Sequence, residues 1–156
     1  MADPIEVLSD DFVISINTGA DISPYSSSGS ATWTPILGLK SHRWSEANTK
    51  EVDASNRSTR GRGQTRIVRR GNTLTFGGNF FEDSAGARDP GQAAVEALAA
   101  NIIPDDLGWF SYETPGGVVK YFQGTAKMAD EGGDLDTLCE WGASVDVYGE
   151  IYDSWS

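Results

Sequence analysis

The sequence predicts a mostly β protein, an antiparallel sandwich or barrel, with one α-helix at about 90–100 and a long polar loop at about 45–65. Three observations carry that reading. The last third alternates apolar and polar residues with the period of two that a strand imposes. Only one stretch has both helical spacing and a cap. The 18 glycines fall largely between alternating segments, where tight turns need them. One domain spanning 1–156 is expected, since this length suits a single core.

Taken in order, Leu8, Phe12, Ile14 and Ile16 sit at even positions of a half-buried strand. Residues 17–30 are rich in Ser, Gly and Asp and read as an exposed loop. Trp33 to Lys40 reads as one strand, with Trp33, Leu37 and Leu39 on one face and Pro35 marking an edge or a bulge. Apolar residues nearly vanish from Ser45 to Thr65, so no core-forming segment is expected there. Arg66–Arg70 and Asn72–Phe81 read as two strands around a Gly71-Asn72 turn, with Leu74, Phe76 and Phe80 sharing a face.

The helix has Asp89 as cap, Pro90 at its first position and Gln92 where a capping box wants it; Ala94, Val95 and Leu98 form its apolar stripe. Asn101 and Pro104 end it, and Asp105–Tyr112 follows as a short strand. A ribbon closes the chain: a strand over Val118–Lys127, a turn at Asp130–Asp134, then a long strand. Leu135, Cys139, Trp141, Ala143, Val145, Val147 and Ile151 fall on one side of that strand, and Asp136, Glu140, Ser144, Asp146 and Glu150 on the other. The total is roughly seven or eight strands.

Charge is divided along the chain. The net charge is −11. Residues 40–70 nevertheless hold nine of the 12 Lys and Arg and only three of the 23 acids. An acidic protein is a poor binder of duplex DNA, whose phosphates need neutralising. A basic segment inside an acidic chain suits contact with an acidic patch on another copy. No apolar run reaches the roughly 18 residues of a membrane span, and no secretory leader is expected at the N-terminus. Cys139 is the only cysteine, is expected to be a buried thiol, and admits no internal disulfide, which fits cytoplasmic synthesis.

Catalytic constellations are missing. His42 is the only histidine and has no nucleophile motif to serve. One cysteine and one histidine cannot make a zinc site, and no Gly-rich phosphate loop is present. The adjacent pairs Asp10-Asp11 and Asp105-Asp106 would face opposite sides of a strand, which makes them poor acid–base couples. The turn residues Asp130, Glu131, Asp134 and Asp136 offer oxygen ligands for a cation without the EF-hand spacing; a solvated turn is the plainer reading. Residues 45–73 interleave no aromatic with their arginines, unlike single-strand binders. No enzyme, cofactor or metal is expected.

With these residues assembled, the chain resembles the major tail tube protein of long-tailed bacteriophages. The resemblance rests on the order and spacing of several segments. These are Asp11–Ile16, Trp33–Leu39, the polar loop entering Arg66–Phe81, the single helix near 95, and the ribbon Gly117–Gly149. It implies a structural protein in which rings of six stack into a hollow tube that conducts viral DNA without binding it specifically. It implies as partners other copies of the chain, a length-setting tape-measure protein, and tail terminator or tip proteins. The place is the virion tail, after synthesis in the host bacterial cytoplasm, with no membrane. About 24 strands spaced about 4.8 Å apart give a circumference of about 115 Å before tilt, enough for a duplex inside. On this reading Asp136, Glu140, Asp146 and Glu150 are candidates to line an acidic lumen. Lys50, Arg57, Arg60, Arg62 and Arg66 are candidates for contacts between rings. Two alternatives stay open: the tube of a contractile tail or secretion device, and a β-sandwich carbohydrate-binding module using the five tryptophans Trp33, Trp44, Trp109, Trp141 and Trp155.

Overall fold

The structure is a computed structural model that describes residues 12–19, 31–46, 49–53, 65–80, 82, 84–133 and 138–153. Its strands are β1 (Val13–Asn17), β2 (Trp33–Pro35), β3 (Leu39–Ser45), β4 (Lys50–Asp53), β5 (Thr65–Arg69), β6 (Thr73–Asn79), β7 (Gly108–Glu113), β8 (Val119–Met128) and β9 (Glu140–Tyr152). One helix, α1 (Pro90–Ala99), precedes β7. Seven strands form an antiparallel sheet in the order β2-β1-β7-β8-β9-β6-β3, and β4 and β5 form a separate two-stranded ladder. The expected mostly β, antiparallel class with one helix is what the chain adopts.

Register sorts the side chains into two faces. Ile14 lies opposite Tyr112, Ile16 opposite Phe110, Phe110 opposite Phe122, Ala126 opposite Val145, and Phe76 opposite Ala143. These residues share the inner face with Leu74 and Trp141, and all are buried. The alternation read in β9 thus does what it predicts: Trp141, Ala143 and Val145 enter the core.

A short connection forces this sheet to curl. β2 and β3 are its two edges, yet only Ile36, Leu37 and Gly38 join them. Four Cα steps reach at most about 15 Å, whereas seven strands laid flat put their edges about 29 Å apart. The edges therefore approach one another. Gly38 accepts the Asn79 N–H at 2.9 Å, and Gly78 runs so close that a Cβ there would sit 2.0 Å from the Gly38 carbonyl oxygen. Across the interior, Trp44 of β3 stacks on Tyr112 at 5.8 Å and meets Phe122 edge-on at 5.2 Å. No ladder joins β2 to β3, so the curl stays open.

Helix α1 covers the inner face. Asp89 caps it as expected: its carboxylate accepts from the Gln92 N–H at 3.1 Å and from the Leu37 N–H at 3.3 Å. Gln92 is wholly buried and goes beyond capping, for its amide donates to both the Leu37 and Asn79 carbonyls at 2.9 Å. One side chain thereby ties the helix to the β2–β3 connection and to the end of β6. Val95 is the buried centre of the apolar stripe, while Ala94 and Leu98 flank it half-buried.

Several expectations need correction. The stretch 45–65 is not structureless throughout, because Lys50–Asp53 pairs with Thr65–Arg69. Arg66–Arg70 accordingly does not form a hairpin with 72–81; β6 pairs with β3 and β9 instead. Val52, Ile67 and the threonine supply the β preference, but exposure on both faces of β4 hides it from an apolar pattern. Trp33–Lys40 is two strands rather than one, with Ile36 buried and Leu37 about half exposed. The last strand starts at Glu140, so Cys139 lies before it and is exposed, not buried. Leu8, Asp136 and Arg57, Arg60 and Arg62 fall outside the described residues.

Candidate functional site

Three surfaces stand out on this curled sheet: its outer face, the β4–β5 hairpin, and the far pole where β8 turns into β9.

The outer face is polar along β3-β6-β9-β8. Ser45, Thr73, Asp146 and Thr125 lie in one cross-strand row, and Arg43, Thr75, Ser144 and Lys127 in the next. Asp146 is held from both sides. Thr73 Oγ1 donates to it at 3.0 Å and the Lys127 ammonium stands 3.6 Å away. Of the candidate lumen residues, Asp146 and Glu140 belong to this face by register. Glu150 lies where the β8–β9 register shifts, beside Gly149 in a left-handed conformation (φ 83°). Further round the same face, Trp33 meets Tyr121 at 5.3 Å, and Trp109 meets Tyr152 at 5.9 Å. Burial, then the Glu113 carboxylate, pushes the Tyr121 phenol up. The four described tryptophans thus divide between the faces, Trp44 and Trp141 inside and Trp33 and the buried Trp109 on the outer side, and these four do not form one flat sugar-binding row.

The hairpin leaves the sheet beyond Ser45 and returns at Thr73. Its base is latched: Thr49 Oγ1 donates to the Gly71 carbonyl at 3.3 Å and accepts the Gly71 N–H at 3.2 Å. Arg70 pairs with Glu46 at 3.3 Å, and Val147 N–H donates to the Asn72 carbonyl at 3.0 Å. Of the candidate inter-ring residues, Lys50 stands opposite Arg69 and Arg66 opposite Val52; both side chains are exposed. Val52 and Ile67 are 43% and 44% exposed, so these two apolar side chains of the hairpin are only partly covered by its own subunit. Two strands alone are marginal in water, and such a hairpin needs a partner surface.

The far pole is acidic and cross-tied. Arg88 lies 3.8 Å over the Phe80 ring, pairs with Glu96, and reaches Glu131 at 3.3 Å. Glu96 also accepts the Trp141 indole N–H at 3.0 Å. Sequence reading missed this cluster because its members lie up to 61 positions apart in the chain, from Phe80 to Trp141. Asp130, expected as a possible cation ligand, is exposed and has no ion-pair partner among the described residues. No group of three or more metal-ligating side chains occurs among the described residues. His42 lies between aromatic rings, 4.6 Å from Phe12 and 5.5 Å from Tyr112, and burial pushes its imidazole below its ordinary 6.5.

No protein-family model and no curated protein sequence matches this chain. Its fold is similar to that of a chain in the tail of an empty gene transfer agent (GTA) particle refined with C6 symmetry. The two share 18% identity at a TM-score of 0.60, over 94% of this chain and 98% of that one. A chain in the virion of a native GTA particle is similar too, with 15% identity, a TM-score of 0.59, and coverage of 96% and 98%. At these identities the likeness establishes a shared fold.

Proposed function

We propose that this chain is the structural subunit of a phage-like tail tube, closing into rings of six that stack around a channel for DNA. The observation that carries this is the match of fold over nearly the whole of both chains to a component of a C6-symmetric tail. Two features of the subunit support it. A curled sheet with open edges at β2 and β3 gains from pairing with neighbours, and closure removes the edges. A basic hairpin on an acidic body gives a contact that repeats head to tail and so extends along an axis.

In this reading the part of the outer face that carries the rows Ser45-Thr73-Asp146-Thr125 and Arg43-Thr75-Ser144-Lys127 looks into the channel. Its short hydroxyl side chains form no apolar patch for a passing duplex. Its cations Arg43 and Lys127 stand near Asp146, which pairs with Lys127, in a subunit whose net charge is −11, so no strong positive field is there to hold phosphates. Lys50, Arg66 and the arginines between them reach the next ring. Partners beyond the chain itself would be a tape-measure protein and the proteins that end the tail.

Electron microscopy of concentrated purified protein tests this directly. Rings or tubes with sixfold symmetry are the expected result. Protein that light scattering finds monomeric at every concentration and salt condition would sink the proposal.

A further inference from the structure

Resting on that reading, we infer that the cleft at the far pole of the sheet is the receptor for the β4–β5 hairpin of the next copy. The cleft has a volume of about 590 Å3. Its floor is the Gly77–Gly142 pair of the β6–β9 ladder, and Leu138, Asp130 and Glu140 stand around it.

Position along the strands comes first. The hairpin departs at the level of Thr73 and Asp146, whereas the floor of the cleft lies at the level of Gly77 and Gly142. Four residues of β9 separate these levels, about 13 Å of strand. Donor and receptor therefore sit at opposite ends of the same ladders. A copy displaced along the strand axis brings one against the other, and the contact repeats with every copy.

Chemistry agrees with the placement. The hairpin carries exposed Lys50 and Arg66 together with the half-exposed apolar pair Val52 and Ile67. The cleft offers the carboxylates of Asp130 and Glu140 against one cation, Lys40, among its lining residues, and Leu138, an apolar side chain 67% exposed. Opposite charge and exposed apolar surface thus occur on both sides of the proposed contact.

Gly77 supplies an independent indication. A Cβ built on it would meet nothing nearer than the Trp141 carbonyl oxygen at 3.4 Å, an ordinary contact, and its backbone is not left-handed. The subunit itself has no need of glycine there, although glycine inside a strand weakens it. Gly142 differs, since a Cβ there would press on the Phe76 carbonyl oxygen at 3.0 Å. A bare floor at position 77 is explained if something from outside lies on it.

The native Cys139, exposed beside Leu138, provides the probe. In Val52→Cys protein a disulfide between Cys139 of one copy and the new thiol of the next requires their Cα atoms to come within about 7 Å. Mild oxidation of assembled protein should yield a ladder of linked chains longer than dimers, because each copy bears both thiols. The Val52→Cys/Cys139→Ser control should give dimers at most. In parallel, Gly77→Val should leave the urea midpoint of the monomer unchanged or raised, while the critical concentration for assembly rises about tenfold, the factor expected from one lost contact of ordinary strength. Tubes that form without a ladder and tolerate Gly77→Val would overturn this inference and leave the tube reading standing. Protein that never assembles would overturn both.

Discussion

Trp141 shows how much a single position can be asked to hold. It is 2% exposed, its ring lies 6.1 Å from that of Phe76, and its indole N–H is bonded to Glu96. Trp141→Ala should cost about 3–5 kcal/mol in urea unfolding of the unassembled subunit. Trp141→Phe, which keeps a ring and loses the hydrogen bond, should cost less. His42 offers a pH test. Burial disfavours its charged form, so the unfolded chain takes up this proton first as pH falls. The stability that neutral His42 contributes is complete above about pH 6.5 and is lost as pH falls through that value toward the folded pKa. The difference in urea midpoint between His42→Phe and the native protein should therefore shift in favour of His42→Phe between pH 7 and 5. A constant difference would show that the imidazole titrates as it does in the unfolded chain. The burial of Trp141 was legible from alternation alone. The aromatic surroundings of His42 were not, because Phe12 and Tyr112 reach it only through the curl of the sheet.

At the scale of elements, α1 tests local preference against packing. Ala is the better helix former than Gly by about 1 kcal/mol. A Cβ at Gly91, however, would lie 2.4 Å from the Pro35 carbonyl oxygen and 2.7 Å from the Ile36 Cα, both backbone atoms that cannot swing aside. Gly91→Ala should consequently destabilise the protein, and a gain in melting temperature would mean that α1 stands farther from the β2–β3 connection. The start and cap of the helix were readable because Asp89, Pro90 and Gln92 act within one turn. The split of Trp33–Lys40 into two strands at opposite edges was not. Nothing local distinguishes a straight strand from one broken at Ile36–Gly38, and the decision comes from pairing with β1 on one side and β6 on the other. The β4–β5 hairpin escaped notice for a related reason: neither strand of it needs an apolar face when no core lies beneath.

For the whole molecule the separating question is which surface meets DNA and which meets another copy. Thr125 and Gln123 lie on the outer face along β8, outside the lining of the far cleft. If that face lines the channel, Thr125→Lys/Gln123→Lys should leave tubes intact. Short duplex DNA added during assembly should then co-sediment with variant tubes, resist nuclease, and be released as salt rises from about 50 to 200 mM, because each phosphate contact displaces bound counterions. Native tubes should retain little under the same conditions. Nuclease resistance carries the distinction, since DNA bound to the outside of a tube is open to digestion. Retained but digestible DNA would put the β3-β6-β9-β8 face on the exterior, and loss of assembly would make it a subunit interface. Only enclosed, salt-released DNA fits a channel whose native hydroxyls and lack of a strong positive field keep phosphates from lodging.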